Sequence, residues 1–335
     1  MSQKIKIAIN GFGRIGRAAF KIALANKDLE VAAVNDLTDN KTLAHLLQYD
    51  SVFGKYPKKV RATKDSLVID NVNYLSLEEK DPLKLPWKKL RVDVVLECTG
   101  RFRKYEDAKK HLEAGAQKVI LSAPGKDKKI KTYILGVNQQ DYQDEKIIDN
   151  ASCTTNCIAP IMKVICKKLG IQKALMTTIH SYTADQNLID GPHKDLRRAR
   201  AAAFNMVPTS TGAATAAAQV IPELNKIFDG LAIRVPTINV SLADLTLVTK
   251  KRTTAARVNQ LLKEAAMSKE YKGILTVTNE PLVSSDFIGN PASTIVDLSL
   301  TKVIDKDLVK IIAWYDNEWG YANRLVEIIS TVVKK

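Results

Sequence analysis

The sequence predicts an α/β fold, a doubly wound parallel sheet followed by an α+β domain with a mixed or antiparallel sheet. Three observations predict it. Over the first 150 residues short apolar runs alternate with helical patterns, as in a parallel sheet covered on both faces. A glycine-rich turn joins the first run to the first helix. After Cys157 the strand-like runs lengthen and helices become fewer, which points to a second domain. A chain of 335 residues suffices for about two domains with sizeable cores.

Ile5, Ile7 and Ile9 alternate as a strand, and a helix follows through Ile15, Ala19, Ile22 and Ala23. Strand-like runs follow at 31–34, 94–96, 119–121 and 133–135, with a helix over about 105–114. A helix begins near Cys153, with Ile158, Ile161, Val164 and Ile165 in period, and runs to about residue 169. Threonine- and valine-rich stretches at 175–182, 233–248, 293–300 and 309–315 read as long strands. They are interrupted by a helix over 255–267 with Val258, Leu261, Leu262 and Ala265 on one face. Leu325, Ile328, Ile329 and Val332 form a last amphipathic helix, which needs a docking face. The segment 183–207 has no clear period, and a loop of that length tied at both ends is expected to be functional.

Hydrophobic content of 45% and charged content of 26% are those of an ordinary soluble globular protein. The opening MSQKIKIAING runs straight into a strand pattern, so no signal peptide is expected. No apolar stretch approaches the roughly 20 residues that span a bilayer. Four cysteines do not make a disulfide framework, and a reducing cytoplasm is the expected compartment. The net charge of +15 (51 basic minus 36 acidic) suggests an anionic partner: nucleic acid, an anionic membrane or a phosphorylated small molecule. Most lysines form scattered pairs. Two denser clusters are KDKKIK at 126–131 and the arginine group at 195–200. The lysine-rich runs lack interleaved aromatics for base stacking, so nucleic acid is not expected as the primary partner.

Gly11, Gly13 and Gly16 form a G-x-G-x-x-G motif that follows a strand and opens a helix. The first glycine allows the tight turn, the second close backbone approach to a pyrophosphate, and the third helix–strand packing. Asp36 follows at the end of the second strand, where a carboxylate accepts hydrogen bonds from ribose hydroxyls and repels a 2′-phosphate. Together these predict a Rossmann-type site for NAD. Cys153 stands at a helix start, where the positive field favours thiolate; a buried structural cysteine with Ser152 as ordinary N-cap is the alternative. His180, at a strand end, is a candidate base or a packing residue. Thr211 and Gly212 precede an alanine-rich helix, suited to an oxyanion or to plain capping. Arg234 sits inside an apolar run and needs a polar or anionic partner if buried. The cysteine spacing is not a zinc pattern, so no metal is expected.

The runs INGFGRIGR at 9–17, VND at 34–36, NASCTTN at 150–156, HSYT at 180–183, PTSTG at 208–212, RVPT at 234–237 and WYDNE at 314–318 carry a resemblance along nearly the whole chain. The chain resembles the phosphorylating, NAD-dependent glyceraldehyde-3-phosphate dehydrogenase family. The resemblance implies an NAD-binding domain over 1–152, completed by a C-terminal helix at about 317–335, and a catalytic domain over 153–316. It implies oxidation of glyceraldehyde 3-phosphate by covalent attack of Cys153, with His180 as base and inorganic phosphate capturing the thioester as 1,3-bisphosphoglycerate. Ser152, Thr154, Thr211 and Gly212 are implied at one phosphate site; Thr183, Arg197 and Arg234 are implied at the other, with Arg198 an alternative to its neighbour. The implied cofactor contacts are Gly11, Gly13, Arg14, Ile15, Gly16, Asp36, Lys80, Ser122 and Asn317. Lys80 stands where many members carry arginine, and Gly191-Pro192 where Leu-Pro is frequent. The segment 183–207 resembles an inter-subunit loop, which implies a homotetramer. Erythrose-4-phosphate dehydrogenase shares these motifs and is the rival enzyme; a basic nucleic-acid-binding protein is the rival from another class.

Overall fold

The computed structural model describes residues 4–333, and two compact units emerge from it. The first takes the chain up to Tyr133, then Gln139–Ala151 and the residues from Ala322 on; the second takes Ile134–Asn138 and Ser152–Tyr321. Residues 1–3 and 334–335 of the ranges expected above lie outside the described residues.

The first unit is built on a sheet in the order Lys131–Thr132, Ile147–Asp149, Lys118–Leu121, Val94–Glu97, Ile5–Asn10, Leu29–Asn35, Val72–Leu77, Ser66–Ile69, Val60–Ala62. Neighbours from Lys131–Thr132 to Val72–Leu77 run parallel, and the last three strands join antiparallel at one edge. Ile7, Ile9, Val94, Leu96 and Ile120 are fully buried, as strands covered on both faces must be. Ile5–Asn10 lies centrally, with later strands added on either side of it. Such a reversal of strand order opens a crevice outside the carboxyl ends of the strands.

The second unit carries a mixed sheet in the order Val207–Ser210, Phe228–Val235, Ile171–Ser181, Ser241–Thr249, Leu308–Tyr315, Thr294–Ile304, Leu275–Thr278. Two pairs are parallel, Ile171–Ser181 with Phe228–Val235 and Leu275–Thr278 with Thr294–Ile304; the other neighbours are antiparallel. Helix Cys153–Leu169 packs on this sheet with twelve buried residues, Ile158, Ile161 and Ile165 among them. The alternation of buried and half-buried residues along Ser241–Thr249 shows one covered face and one more open face.

Three expected elements differ. The run 133–135 is no strand: the paired residues are Lys131–Thr132, and Asn138 Oδ1 takes the Ile134 N–H while Gly136 turns the chain at φ +76°. The stretch 233–248 is two strands, Phe228–Val235 and Ser241–Thr249, parted by Pro236 and by Val240 at φ +66°. Pro236 has no N–H for a ladder, and a left-handed valine cannot extend one. The last helix is also split, into Trp319–Glu327 and Ile329–Val332, although Leu325, Ile328, Ile329 and Val332 are all buried as the pattern requires.

Candidate active site

Cys153 is the first residue of its helix, and Ser152 caps it by accepting the Thr155 N–H at 3.1 Å. Strand Ile171–Ser181 carries His180 to the same place, and its Nε2 lies 3.5 Å from Cys153 Sγ. His180 Nδ1 lies 2.7 Å from the Ser181 carbonyl. Nδ1 also lies 2.9 Å from Arg234 Nη1, which only donates; the neutral tautomer with its proton on Nδ1 meets the carbonyl and presents a lone pair at Nε2 to the thiol. Parallel pairing sets Arg234 directly beside His180, and Arg234 Nη1 donates to the same carbonyl at 3.0 Å. Tyr315 meets the His180 ring edge-on and stands 2.9 Å from Thr154 Oγ1 and 2.8 Å from Thr178 Oγ1.

Electrostatics fix the resting charges. Burial and the adjacent Arg234 guanidinium push His180 down to about 3, so the imidazole is neutral near pH 7. Burial pushes the Cys153 thiol up, against the pull of Arg234 and of hydrogen bonds with Thr154. Here the structure departs from the expectation of a resting thiolate. Desolvation is the largest influence on the thiol, and the pair rests as thiol and neutral imidazole, poised for proton transfer.

Arg234 Nε is buried without a partner, which leaves a cationic donor available to an acceptor. Thr183 lies just past the strand end and donates its N–H to Gln186 Oε1 at 3.4 Å. Arg197 is exposed, with only the Pro208 carbonyl at 3.5 Å. Arg198 is half-buried; it pairs with Asp185 and donates to Thr209 Oγ1 at 2.9 Å, and its charge reaches both His180 and Arg234. Thr211 accepts the Ala213 N–H at 3.2 Å, and Gly212 is the uncapped N-cap of helix Ala213–Val220. Asn317 Oδ1 accepts from Ser181 Oγ at 3.0 Å and Ser241 Oγ at 2.9 Å, which leaves Nδ2 as the donor end.

The first unit holds a cavity of about 560 Å³ at the carboxyl ends of its central strands. Gly11, Gly13, Asp36 and Lys80 line it, together with Asn10, Asn35, Glu79 and Thr99. Gly11 turns the chain at φ +94°, and a Cβ there would stand 2.6 Å from the Thr99 nitrogen. A Cβ on Gly16 would strike the Gly11 carbonyl. At Gly13 a Cβ would meet nothing within 4 Å. No protein packing demands that glycine, and no side chain caps the helix it opens. Both facts fit an anionic group resting against the helix start. Asp36 is pinned at the rim by the Phe12 N–H at 2.7 Å and the Thr38 N–H at 3.0 Å. The residues present therefore fit a dinucleotide. Arg14, Ile15, Gly16 and Ser122 do not line the cavity. Arg14 turns instead to Asp50 at 2.5 Å and lies over the Phe53 ring. Among the described residues no group of three or more His, Cys, Asp or Glu could hold a metal ion, and no helix is long and apolar enough to cross a membrane.

Asp36→Ala is expected to raise the KM for NAD about 10-fold and to narrow the preference over NADP, because it removes both the diol acceptor and the repelling charge. Steady-state titration with each dinucleotide checks this; an unchanged ratio would remove Asp36 from the selectivity argument.

Tyr315, Thr178, Asn10, Asn35 and Glu97 escape sequence reasoning as site residues. The one available signal was polarity at the carboxyl end of a buried strand, at Asn10, Asn35 and Glu97.

Comparisons with known proteins find relatives along nearly the whole chain. The family model described as "Glyceraldehyde 3-phosphate dehydrogenase, NAD binding domain" matches residues 5–105, and its "C-terminal domain" counterpart matches 152–317. A protein of Geobacillus stearothermophilus named glyceraldehyde-3-phosphate dehydrogenase is 52% identical over 99% of both chains. Glyceraldehyde-3-phosphate dehydrogenase 1 of Bacillus subtilis is 53% identical over 99% of both. The Streptomyces coelicolor protein named glyceraldehyde-3-phosphate dehydrogenase is 50% identical over 97% of both.

Proposed function

Since the chain belongs to the glyceraldehyde-3-phosphate dehydrogenase family, we propose that Cys153 and His180 carry out its NAD-dependent oxidation of glyceraldehyde 3-phosphate through a thioester. The observation that carries this assignment is the 3.5 Å approach of His180 Nε2 to Cys153 Sγ at a helix N-terminus. The sulfur bonds to the aldehyde carbon while its proton passes to Nε2 and on to the carbonyl oxygen, giving a hemithioacetal. His180 then takes the hydroxyl proton as the carbon gives up hydride, leaving a thioester on Cys153. Bound NAD supplies the hydride acceptor. A phosphate oxygen attacks the thioester carbon, the carbon–sulfur bond breaks, and 1,3-bisphosphoglycerate leaves.

In this reading Thr183, Arg234 and Arg198 receive one phosphate, and Ser152, Thr154, Thr211 and Gly212 the other. Arg198 is preferred to Arg197 because its charge reaches His180 and Arg234. Arg198→Lys should raise the KM for a phosphate-bearing reactant about 10- to 100-fold, the worth of a charge-assisted bidentate contact, whereas Arg197→Ala should change it less than about 3-fold. The reverse result would return the role to Arg197. On the cofactor side we assign Gly11, Gly13, Asp36, Lys80 and the amides at Arg14 and Ile15 to the adenosine diphosphate portion, and Ser122 and the Asn317 Nδ2 donor to the remainder.

The substrate assignment is tested by following NADH formation from glyceraldehyde 3-phosphate and erythrose 4-phosphate, with and without inorganic phosphate. The phosphorylating reading expects turnover of the first to collapse without phosphate. Equal rates without it would favour the erythrose enzyme. We further propose a homotetramer in the cytoplasm. Leu188, Ile189, Leu196, Phe204 and Met206 on the irregular segment are each at least three-quarters exposed, an apolar patch that suits a second copy of the chain. Four free cysteines suit a reducing compartment.

A further inference from the structure

We propose that His111 is a positioning residue for the cofactor, holding the wall of the NAD cavity through a buried relay from Trp87 to Asn35. The proposal deepens the cofactor reading of that cavity and rests on it.

Every step of the relay has a forced direction. The Trp87 indole Nε1 can only donate, and it lies 3.0 Å from His111 Nδ1. Nδ1 is therefore the bare nitrogen, and the ring proton sits on Nε2. That N–H points at Glu97 Oε2, 3.1 Å away. Asn10 Nδ2 donates to the same oxygen at 2.6 Å, while Thr99 donates to Oε1 from its backbone N–H at 2.8 Å and from its hydroxyl at 2.5 Å. Glu97 thus accepts four hydrogen bonds and donates none. With its Nδ2 committed to Glu97, Asn10 must present Oδ1 to Asn35 Nδ2 at 2.7 Å. Asn35 then closes a reciprocal pair with the Glu79 backbone, donating to its carbonyl and accepting its N–H, each at 2.9 Å.

Trp87 and His111 are fully buried, and Glu97, Asn10 and Asn35 nearly so. The bonds among Trp87, His111, Glu97 and Asn10 are shut off from solvent, so reversing the Asn10 amide would leave buried polar groups unpaired. The far end of the relay is functional surface: Asn10, Asn35, Glu79 and Thr99 all line the cavity, beside Asp36 and Lys80. His111, on helix Tyr105–Glu113, thereby tethers Glu97, and through Glu97 the Asn10 amide, at the cavity wall.

The test is titration of the full-length protein with NAD and with ADP-ribose, read by calorimetry, with alkylation of Cys153 in the absence of cofactor as a second readout. His111→Gln can accept from Trp87 and donate to Glu97; His111→Leu can do neither. His111→Leu is expected to weaken both ligands at least about 10-fold with the alkylation rate unchanged, and His111→Gln to stay within about 3-fold of wild type. Should His111→Leu fail to fold, Trp87→Phe removes only the tautomer-fixing donor and should weaken both ligands about 3-fold or more. The proposal is overturned if His111→Leu, or Trp87→Phe in its place, binds as wild type. It is equally overturned if the glutamine variant is as weak as the leucine one. Wild-type protein that binds neither ligand would overturn the cofactor reading along with it.

Discussion

Replacing Cys153 by serine should lower kcat/KM on the order of 10⁴-fold or more while leaving NAD affinity within about 2-fold. The size of the loss follows from the base. His180, held down to about 3, is a weak proton acceptor. It can take a proton from a thiol as the carbon–sulfur bond forms, but a serine hydroxyl lies far beyond its reach. On the proposed mechanism, a serine ester would also forfeit the thioester that phosphate opens. The same electrostatics predict which thiol reacts with an alkylating agent. Burial pushes Cys157 up to about 12 and Cys166 up to about 11, and raises Cys98 as well. Among the four, Cys153 has an imidazole nitrogen 3.5 Å from its sulfur and a guanidinium pulling its titration down. One rapidly modified thiol per chain is expected, identified by peptide mapping. Retained turnover in the serine variant, or first labelling elsewhere, would overturn the assignment of the nucleophile.

What could be read from the sequence divides along the range of the interactions involved. Gly11, Gly16 and Asp36 are legible because their constraints are local: a positive φ, a glycine packed on a carbonyl, a carboxylate bound to its own turn. Cys153 and Ser152 are legible for the same reason, since capping acts within one helical turn. The pairing of His180 with Arg234 is not, because it depends on the register of two strands 54 positions apart. Tyr315 reaches Thr154 from 161 positions away, and although it stands in the run 314–318 that carries the family resemblance, no local pattern assigns its hydroxyl to the site. The antiparallel strands at residues 60–77 are missed because they are short: Leu67, Val68 and Ile69 make a buried apolar run of only three residues, flanked by Val60–Ala62 and Val72–Leu77, which carry exposed residues and little alternation. The stretch 233–248 reads as one strand because composition sees threonine and valine on both sides of a break made by a single proline and one left-handed residue.

Arg234 has two effects on the site, and their coupling shapes what a substitution reports. Burial, with Arg234 beside it, holds the His180 imidazole neutral at rest, while the Arg234 Nε has no hydrogen-bond partner among the described residues. An incoming phosphate would offset that cation and so raise the basicity of His180 when a substrate needs a base. The weak resting base and the proposed anion site thus share one placement, the register that sets residue 234 beside residue 180.

His180→Asn should lower kcat about 10²- to 10⁴-fold, the usual worth of a positioned general base, and at the same time make the protein less sensitive to acid. The asparagine amide can keep the hydrogen bond to the Ser181 carbonyl but offers no nitrogen to Cys153, so the loss falls on proton transfer. The stability effect has the opposite sign. His180 is depressed from 6.5 to about 3 on folding, so between those pH values the unfolded chain binds a proton that the folded one refuses. The stability associated with keeping the ring neutral is fully present above pH 6.5 and is lost progressively as pH falls toward 3. At about 1.4 kcal/mol per pH unit, the wild type should lose about 2 kcal/mol by pH 5 from this group. The asparagine variant lacks that group and should be spared the loss. Urea unfolding of both proteins at pH 7 and pH 5 reads the difference directly. A residue needed only for packing would cost stability at both pH values alike. Parallel losses would therefore show that His180 is not held neutral, and with that the proton-transfer role would fall.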